Sequence, residues 1–122
     1  MRIIIIGDGK VGHSIAEALI TEGHEVTIVD RSEAALLRSR DTLDAMMVKG
    51  NGVNVDTLME AGAPMADIVI AVTVSDEINM LSCLTAKRLG ARYAIARIRD
   101  PEYHKSLSFL MRELLIDYVI NP

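Results

Sequence analysis

The sequence contains no tryptophan and a single phenylalanine among its 122 residues. Half of the residues are nevertheless hydrophobic, so the core must consist of aliphatic side chains and methionine. The one cysteine, Cys83, excludes an internal disulfide, which is typical of proteins from a reducing compartment. This length is near the commonest domain size, and we predict that residues 1–122 form a single domain.

Positive charge is also scarce. The chain has 13 basic and 17 acidic residues, a net charge of −4, which excludes the basic surface that nucleic-acid binding needs. No apolar run approaches the roughly 20 residues of a membrane span. The first strand-like run begins at residue 2, which leaves no room for a signal peptide. We therefore expect a cytoplasmic domain that does not insert into a membrane.

Strand-like and helical patterns alternate along the chain. Six apolar runs, most of them without in–out alternation, predict strands covered on both faces: residues 2–6, 25–29, 45–49, 67–72, 93–98 and 117–120. Residues with helical spacing lie between these runs. The sequence therefore predicts an α/β fold, a doubly wound, Rossmann-like parallel sheet of six strands in the order 3-2-1-4-5-6 with helices on both faces.

Two of the predicted helices carry apolar residues on more than one face. In the helix from Ser75 or Asp76 to Gly90, the residues predicted to face inward are Ile78, Leu81, Leu84 and Ala86. In the last helix, which begins at Pro101, they are Tyr103, Leu107, Leu110 and Leu114. The apolar residues off these stripes are Met80, Cys83, Phe109 and Met111. They favour helix-to-helix dimerisation, the alternative being incidental exposure.

A glycine-rich segment, GDGKVG, joins the first strand to the first helix and fits the pattern G-x-G-x-x-G. Gly7 permits a tight turn, Gly9 lets a ligand approach the backbone, and Gly12 lets the helix pack closely on the strand. The positive N-terminus of the helix favours a phosphate. We assign residues 7–12, including Asp8, Lys10 and Val11, to a candidate nucleotide site, the alternative being a turn that binds nothing.

Asp30 ends the second strand and follows the glycine segment at the spacing that ribose recognition requires. Its carboxylate can accept both ribose hydroxyls of an adenosine and repels a 2′-phosphate, so NAD is favoured over NADP. The neighbouring Arg31 either softens this preference or points to solvent. The alternative for Asp30 is an aspartate that only forms a turn.

Ligands in this fold lie across the carboxyl ends of the strands, so the remaining strand ends are also informative. After the third strand, Asn51 and Gly52 provide either an amide for an adenine edge or a tight turn. The fourth strand ends at Val72 and Thr73, which we expect beside the glycine segment.

Arg97 and Arg99 on the fifth strand are predicted to share one face. A buried arginine needs an anion. A phosphate meets that need, and a carboxylate such as Asp67 or Asp76 meets it equally well.

The sequence shows no catalytic constellation and no metal-ligand spacing. His13 lies near the glycine segment but is predicted to be a helix-surface residue. Six strands and their helices use the whole chain, which leaves no room for a substrate domain. These features favour a nucleotide sensor. The alternatives are the NAD-binding domain of an oxidoreductase without its substrate domain, and an interaction module that has lost its ligand.

Ordered motifs over almost the whole chain resemble the nucleotide-binding domain of TrkA-type regulators of potassium uptake and of the domains that regulate potassium conductance in channels. The matching segments are RIIIIGDGKVGHSIAEALITEGHEVTIVDRS, VKGNG, ADIVIAVTVSDEINMLSCLTAKRLGA, AIARIRDPEY and IDYVINP. The AVT…SDE.N and AR.R.PEY segments distinguish this family from ordinary dehydrogenases.

The resemblance implies a non-enzymatic domain that binds NAD(H) or ATP/ADP and gates ion flux by changing shape. It implies self-association as dimers within an octameric ring. It also implies a position at the inner face of the cell membrane, beneath a potassium-translocating protein. The residues that match the family's binding positions are Gly7, Gly9, Gly12, Asp30, Asn51, Thr73 and Arg97, with Arg97 as the phosphate contact.

Overall fold

The computed structural model describes residues 1–121, which form six strands, six α-helices and one 3₁₀ turn. The strands are β1 (Arg2–Ile6), β2 (Glu25–Asp30), β3 (Met46–Lys49), β4 (Ile68–Ala71), β5 (Tyr93–Arg97) and β6 (Tyr118–Ile120). The α-helices are α1 (Lys10–Thr21), α2 (Glu33–Arg40), α3 (Val55–Glu60), α4 (Asp76–Leu89), α5 (Pro101–His104) and α6 (Leu107–Glu113), and the 3₁₀ turn is Ala63–Met65. Of the helices in this described range, none is both long enough and apolar enough to cross a membrane.

The strands form one parallel sheet in the order β3-β2-β1-β4-β5-β6, which confirms the predicted fold class and strand order. In the central strand, Ile4 lies opposite Thr27 of β2 on one side and Val69 of β4 on the other. The order of strands along the chain reverses between β1 and β4. A crevice between the loops that follow these two strands is the usual ligand position in such sheets.

The four consecutive isoleucines of β1 supply both faces of the sheet. Ile4 and Ile6 belong to the core cluster with Val69 and Cys83, whereas Ile3 and Ile5 belong to a second cluster on the other face. All four side chains are at most 2 % exposed. Because helices cover both faces, each of these four positions is apolar, which explains the absence of alternation in the sequence.

The predicted inward face of α4 is partly wrong. Leu81 is 49 % exposed, whereas Met80 and Cys83, predicted to lie off the inward stripe, are buried in the core. Polar contacts explain the rotation of the helix, since Asp76 and Asn79 are buried and hydrogen-bonded to backbone groups of neighbouring loops. Ala86 is buried, as predicted.

The last predicted helix is two helices, α5 and α6, not one. The backbone N–H of Ser106 donates to the carbonyl of Tyr103 at 3.1 Å, which closes α5 with a three-residue turn. Ser106 itself has φ −125°, outside the helical range, and α6 begins after it. The predicted stripe still packs against the core, because Tyr103, Leu107, Leu110 and Leu114 all contact the same cluster.

The apolar residues on which dimerisation was predicted do not form an exposed surface. Met80 and Cys83 are buried, and Met111 packs against the core. Phe109 is 54 % exposed, with the Arg112 guanidinium 5.7 Å from its ring centroid. The face of α4 that points outward is instead the one that carries Leu81.

Helix α1 lies in direct contact with the glycine segment that precedes it. A Cβ atom at Gly12 would lie 1.9 Å from the carbonyl oxygen of Gly7, whereas a Cβ at Gly9 would meet nothing within 4 Å. Gly7 itself has φ +107°, a conformation that L side chains rarely adopt. The tight turn predicted at Gly7 and the close helix packing predicted at Gly12 are therefore confirmed, and the space around Gly9 is open.

Gly12→Ala is expected to lower the free energy of unfolding by about 1–3 kcal/mol or more, because the added methyl group collides with a backbone carbonyl. Gly9→Ala, with open space around its Cβ, is the matched control and should change stability by less than about 0.5 kcal/mol. Urea unfolding followed by circular dichroism measures both. Equal stabilities of the two variants would contradict the close approach of α1.

Candidate functional site

A cleft of about 570 Å³ opens where the strand order reverses, above the carboxyl ends of the central strands. The predicted site residues that line it are Gly7, Gly9, Lys10, Val11, Asp30, Arg31, Asn51, Gly52, Val72, Thr73 and Arg97. Further lining residues, which the sequence did not single out as site residues, are Ile6, Val29, Gly50, Val74, Ser75 and Ile78. Residues from five separate segments thus meet in one cavity.

Asp8 and Gly12 do not line this cleft. Asp8 lines a separate cavity between α1 and α2, together with His13 and Ser39. Gly12 is buried against the backbone of Gly7 and acts through the packing of α1. The glycine spacing of residues 7–12 does not indicate which of their side chains face the cleft.

The N-terminus of α1 points into the cleft without a side-chain cap. Gly9 is the N-cap residue, and no side chain accepts a hydrogen bond from the first turn. The backbone around Gly9 is exposed and sterically open. Free N–H groups and the positive end of the helix dipole therefore face the cavity, an arrangement suited to an anionic group such as a phosphate.

Asp30 holds two backbone groups and also faces the cleft. One carboxylate oxygen accepts a hydrogen bond from the N–H of Asp8 at 2.7 Å, and the other accepts one from the N–H of Ser32 at 2.7 Å. Each oxygen has a further lone pair. The side chain thus fixes the glycine segment in place and remains able to accept hydrogen bonds from a ligand's hydroxyl groups.

Arg97 reaches the cleft without an acidic partner. Its Nε atom is buried and makes no hydrogen bond, and no carboxylate of residues 1–121 lies within ion-pair distance of its guanidinium. The carboxylates considered as alternatives are used elsewhere, because Asp67 accepts from the N–H of Arg2 and Asp76 from that of Arg99. A buried guanidinium nitrogen without an acceptor is costly, and an anion in the cleft would satisfy it.

Arg99 does not join Arg97 in the cleft. It follows the end of β5, is exposed, and lines a shallower cavity with Asp76 and Glu77. The prediction of a shared face fails because the strand ends at Arg97 and the chain turns to reach α5.

Asn51 and Gly52 form a tight turn after β3. The Asn51 side-chain oxygen accepts a hydrogen bond from the N–H of Val53 at 3.2 Å, which supports the turn. Gly52 has no room for a side chain, since a Cβ there would lie 2.3 Å from Ile6. Asn51 nevertheless borders the cleft, so it combines the turn role with a position at the candidate site.

Asn79 is a site-supporting residue that the sequence reasoning missed. It is fully buried on α4, and its amide NH₂ donates to the carbonyls of Thr73 at 3.1 Å and Arg97 at 2.9 Å. Its side-chain oxygen accepts from the N–H and the hydroxyl of Thr73 at 2.8 and 2.7 Å. This one side chain therefore joins the ends of β4 and β5 at the floor of the cleft.

The nucleophilic and imidazole side chains are not arranged as a catalytic group in the described chain. Burial raises the pKa of the Cys83 thiol to about 12, so it stays protonated. A nitrogen of His104 lies 2.7 Å from the carbonyl oxygen of Ile98, at the end of β5. Over residues 1–121, no three His, Cys, Asp or Glu side chains are grouped in a way that could hold a metal ion.

Comparison with known protein families matches residues 3–122 to the TrkA-N domain. The Trk system potassium uptake protein TrkA homolog of Methanothermobacter thermautotrophicus is 35 % identical over 122 residues, which are the whole of this chain and 55 % of that protein. TrkA of Vibrio alginolyticus is 41 % identical over an alignment of 125 positions, which covers the whole of this chain and 27 % of that protein. The chain thus spans about half or less of the length of these relatives.

Solved structures with low sequence identity share the fold. The GsuK channel bound to NAD superposes with a TM-score of 0.82 at 21 % identity, over 98 % of this chain and 21 % of that one. GsuK bound to ADP gives 0.81 at 21 % identity, over 98 % and 31 % of the two chains. The Kef C-terminal domain of Shewanella denitrificans in its AMP-bound form gives 0.77 at 18 % identity, over 100 % and 72 %.

Asn79→Ala is expected to lower the free energy of unfolding by about 2–4 kcal/mol, because it leaves several buried backbone and hydroxyl groups without partners. Asn79→Asp, which keeps the acceptor oxygen but has no NH₂ donor, should also be destabilised, because the carbonyls of Thr73 and Arg97 lose their bonds. Thermal unfolding of both variants measures the effect. Wild-type stability of Asn79→Ala would show that this side chain does not join the two strand ends.

Proposed function

Because the chain belongs to the TrkA-N domain family, we propose that residues 1–122 form one nucleotide-sensing regulatory domain of a potassium transport system. The observation that carries the proposal is the cleft at the reversal of the strand order. There the uncapped N-terminus of α1 and the unpaired Arg97 face the same cavity. Both are donors that lack an acceptor, and both suit the phosphates of a nucleotide.

The nucleotide lies across the cleft with its phosphates on the glycine segment and beside Arg97. Its ribose reaches Asp30, and its adenine reaches Asn51. NAD(H) or ATP/ADP fits this arrangement, because the phosphates and the adenosine ribose are common to all of them. Similar structures with NAD, ADP and AMP bound support this class of ligand.

The role is regulatory and not enzymatic. The relatives are named as proteins of a potassium uptake system, and one structural neighbour is named as a channel. A ligand changes such a system only by binding two of its states with different affinities, so NAD(H) and ATP/ADP must favour different arrangements of the assembly. The alternative, an NAD-binding domain of an oxidoreductase, has no comparable support from these relatives.

The partner is a potassium-translocating membrane protein. The domain lies in the cytoplasm at the inner face of the cell membrane and associates with the membrane through that partner. The names of the TrkA relatives and of the GsuK channel support this position.

The domain also self-associates, as a dimer or within an octameric ring, through an apolar surface formed by Val74, Ile78 and Leu81. Val74 is 91 % and Leu81 49 % exposed. Ile78 and Leu81 lie within the first two turns of α4, three residues apart and therefore on one side of the helix, and Val74 lies in the loop just before its N-cap Ser75. Val74 and Ile78 also line the cleft, so a bound nucleotide lies next to the surface through which copies meet.

Calorimetric titration with NADH, NAD, ATP, ADP and NADPH, with pairwise competition, tests the ligand class. Adenine mono- and dinucleotides should compete for one site, and NADPH should bind most weakly because Asp30 repels a 2′-phosphate. Binding of NAD(H) alone, without competition from ATP or ADP, would favour the oxidoreductase domain.

Gly9→Val is the control variant for this titration. Its side chain projects into open space in the empty cleft, so the fold should survive while phosphate is excluded from the loop. Unchanged affinity of a folded Gly9→Val protein would place the phosphates elsewhere.

Leu81→Glu should shift the protein toward the monomer in sedimentation velocity, because a charge placed in an apolar contact must be desolvated. Leu37→Glu is the matched control, since Leu37 is 44 % exposed on α2 and lies off this surface. A wild-type protein that is monomeric at all concentrations, or an equal effect of the two variants, would contradict association through α4.

A further inference from the structure

The carboxylate of Asp8 lies behind the glycine segment and not in the nucleotide cleft. Its side chain has no exposed surface, and neither of its oxygens has a hydrogen-bond partner. It borders a cavity of about 470 Å³ between α1 and α2. A buried carboxylate without donors is unfavourable when ionised, so this position requires a compensating charge or a proton.

The nearest ionisable group is the imidazole of His13, one turn into α1. Its Nδ1 atom lies 3.8 Å from a carboxylate oxygen of Asp8 and 2.9 Å from the hydroxyl of Ser39 on α2. The three side chains thus form a small polar cluster in an otherwise packed region. The His13 ring is about one-third exposed and connects the cluster to solvent.

A proton is the cation that this cluster can accept. The oxygens of Asp8 present no surface to solvent, so a metal ion in the cavity does not reach them. Lys10 and Arg38, which also line the cavity, oppose the entry of a larger cation. A proton passes through the His13 ring and occupies no volume in the packed cluster.

We propose that Asp8, His13 and Ser39 form a proton-binding site behind the glycine segment, and that a phosphate bound in front of the segment increases its proton occupancy. The coupling rests on the proposed function, because it requires phosphates at the segment. Asp8 lies between Gly7 and Gly9, both of which line the cleft. An ionised Asp8 therefore places negative charge directly behind the phosphate, and protonation removes that repulsion.

The charges around Asp8 support a proton at this position. Burial raises the pKa of the Asp8 carboxyl, and the nearby charge of Asp30 at the end of β2 raises it further. The pKa of Asp8 is lowered by the hydroxyl of Ser39 and by the charges of His13 and Arg38, but these effects together are smaller than the effect of burial. Since linkage is reciprocal, a phosphate that favours proton binding is itself bound more tightly when the proton is present.

The first experiment tests the proton site without any ligand. The thermal midpoints of the wild-type chain, Asp8→Asn and the control Asp44→Asn are compared between about pH 4, near the ordinary pKa of an aspartate, and about pH 8. If folding raises the pKa of Asp8, the protonated side chain stabilises the folded state at pH values below the ordinary pKa of aspartate. That stabilisation is lost as the pH rises through the raised pKa. Asp8→Asn should therefore become more stable relative to the wild type as the pH rises. Asp44, an exposed residue after α2, should show no such trend.

A constant difference between Asp8→Asn and the wild type across this pH range would overturn the proton site. If Asp8→Asn does not fold, His13→Gln replaces it, because this variant removes the ionisable side chain that lies 3.8 Å from the Asp8 carboxylate. Its stability should then vary with pH differently from that of the wild type, and an identical pH profile would overturn the site.

The second experiment tests the coupling with NAD, whose pyrophosphate does not titrate in this range. Wild-type affinity should fall as the pH rises through the range in which the first experiment finds that Asp8→Asn and the wild type diverge, by at most about tenfold per pH unit for a single proton. Asp8→Asn should show a flatter profile, and Asp44→Asn should follow the wild type. The same slope in wild type and Asp8→Asn would overturn the coupling. Absence of NAD binding at every pH would refute the proposed ligand but leave the result of the first experiment intact.

Discussion

The contact between α1 and the glycine segment is the constraint on which the cleft depends. With only a hydrogen atom at Gly12, the first turn of the helix lies directly on the carbonyl of Gly7. The N–H of Gly7 donates to Val29 of β2 at 2.8 Å, which ties the same segment to the neighbouring strand. Helix, loop and sheet are thus held at one point, and the free N–H groups of α1 point where the strand order reverses.

Buried polar side chains position the rest of the cleft. Asn79 joins the ends of β4 and β5, and Asp76 accepts hydrogen bonds from the N–H groups of Arg99 and Asp100 in the loop after β5. A polar group taken out of water is favourable only when it is bonded, and here the bonds are made to backbone groups that a loop could not otherwise satisfy. The same contacts determine the rotation of α4, and this places Leu81 on the outer surface.

The electrostatic balance around the glycine segment is unusual because acidic and basic groups lie on both sides of it. In front, Arg97 lacks a partner while Asp30 bonds to the backbone. Behind the segment, the carboxylate of Asp8 is buried beside His13 and accepts no hydrogen bond. A nucleotide in the cleft would supply the anion that Arg97 lacks, and its phosphates would make an ionised Asp8 more costly. Ligand charge and protonation therefore act on the same short segment.

The architecture and the location of the cleft could be predicted from the sequence alone. Continuous apolar runs such as residues 2–6 predict strands covered on both faces, and the glycine spacing together with Asp30 predicts which loop faces a ligand. These are local signals, since strand burial and turn geometry depend on neighbouring residues.

The directions of the Leu81, Asp8 and Arg97 side chains could not be predicted from the sequence, because they depend on tertiary contacts. Leu81 was predicted to face inward because that prediction considers only the spacing of apolar residues. The orientation of α4 depends instead on the hydrogen bonds of Asp76 and Asn79 to distant loops. The direction of Asp8 and the unpaired state of Arg97 likewise depend on groups far apart in the chain. Such contacts are set by packing among several elements, and no spacing within a single segment encodes them.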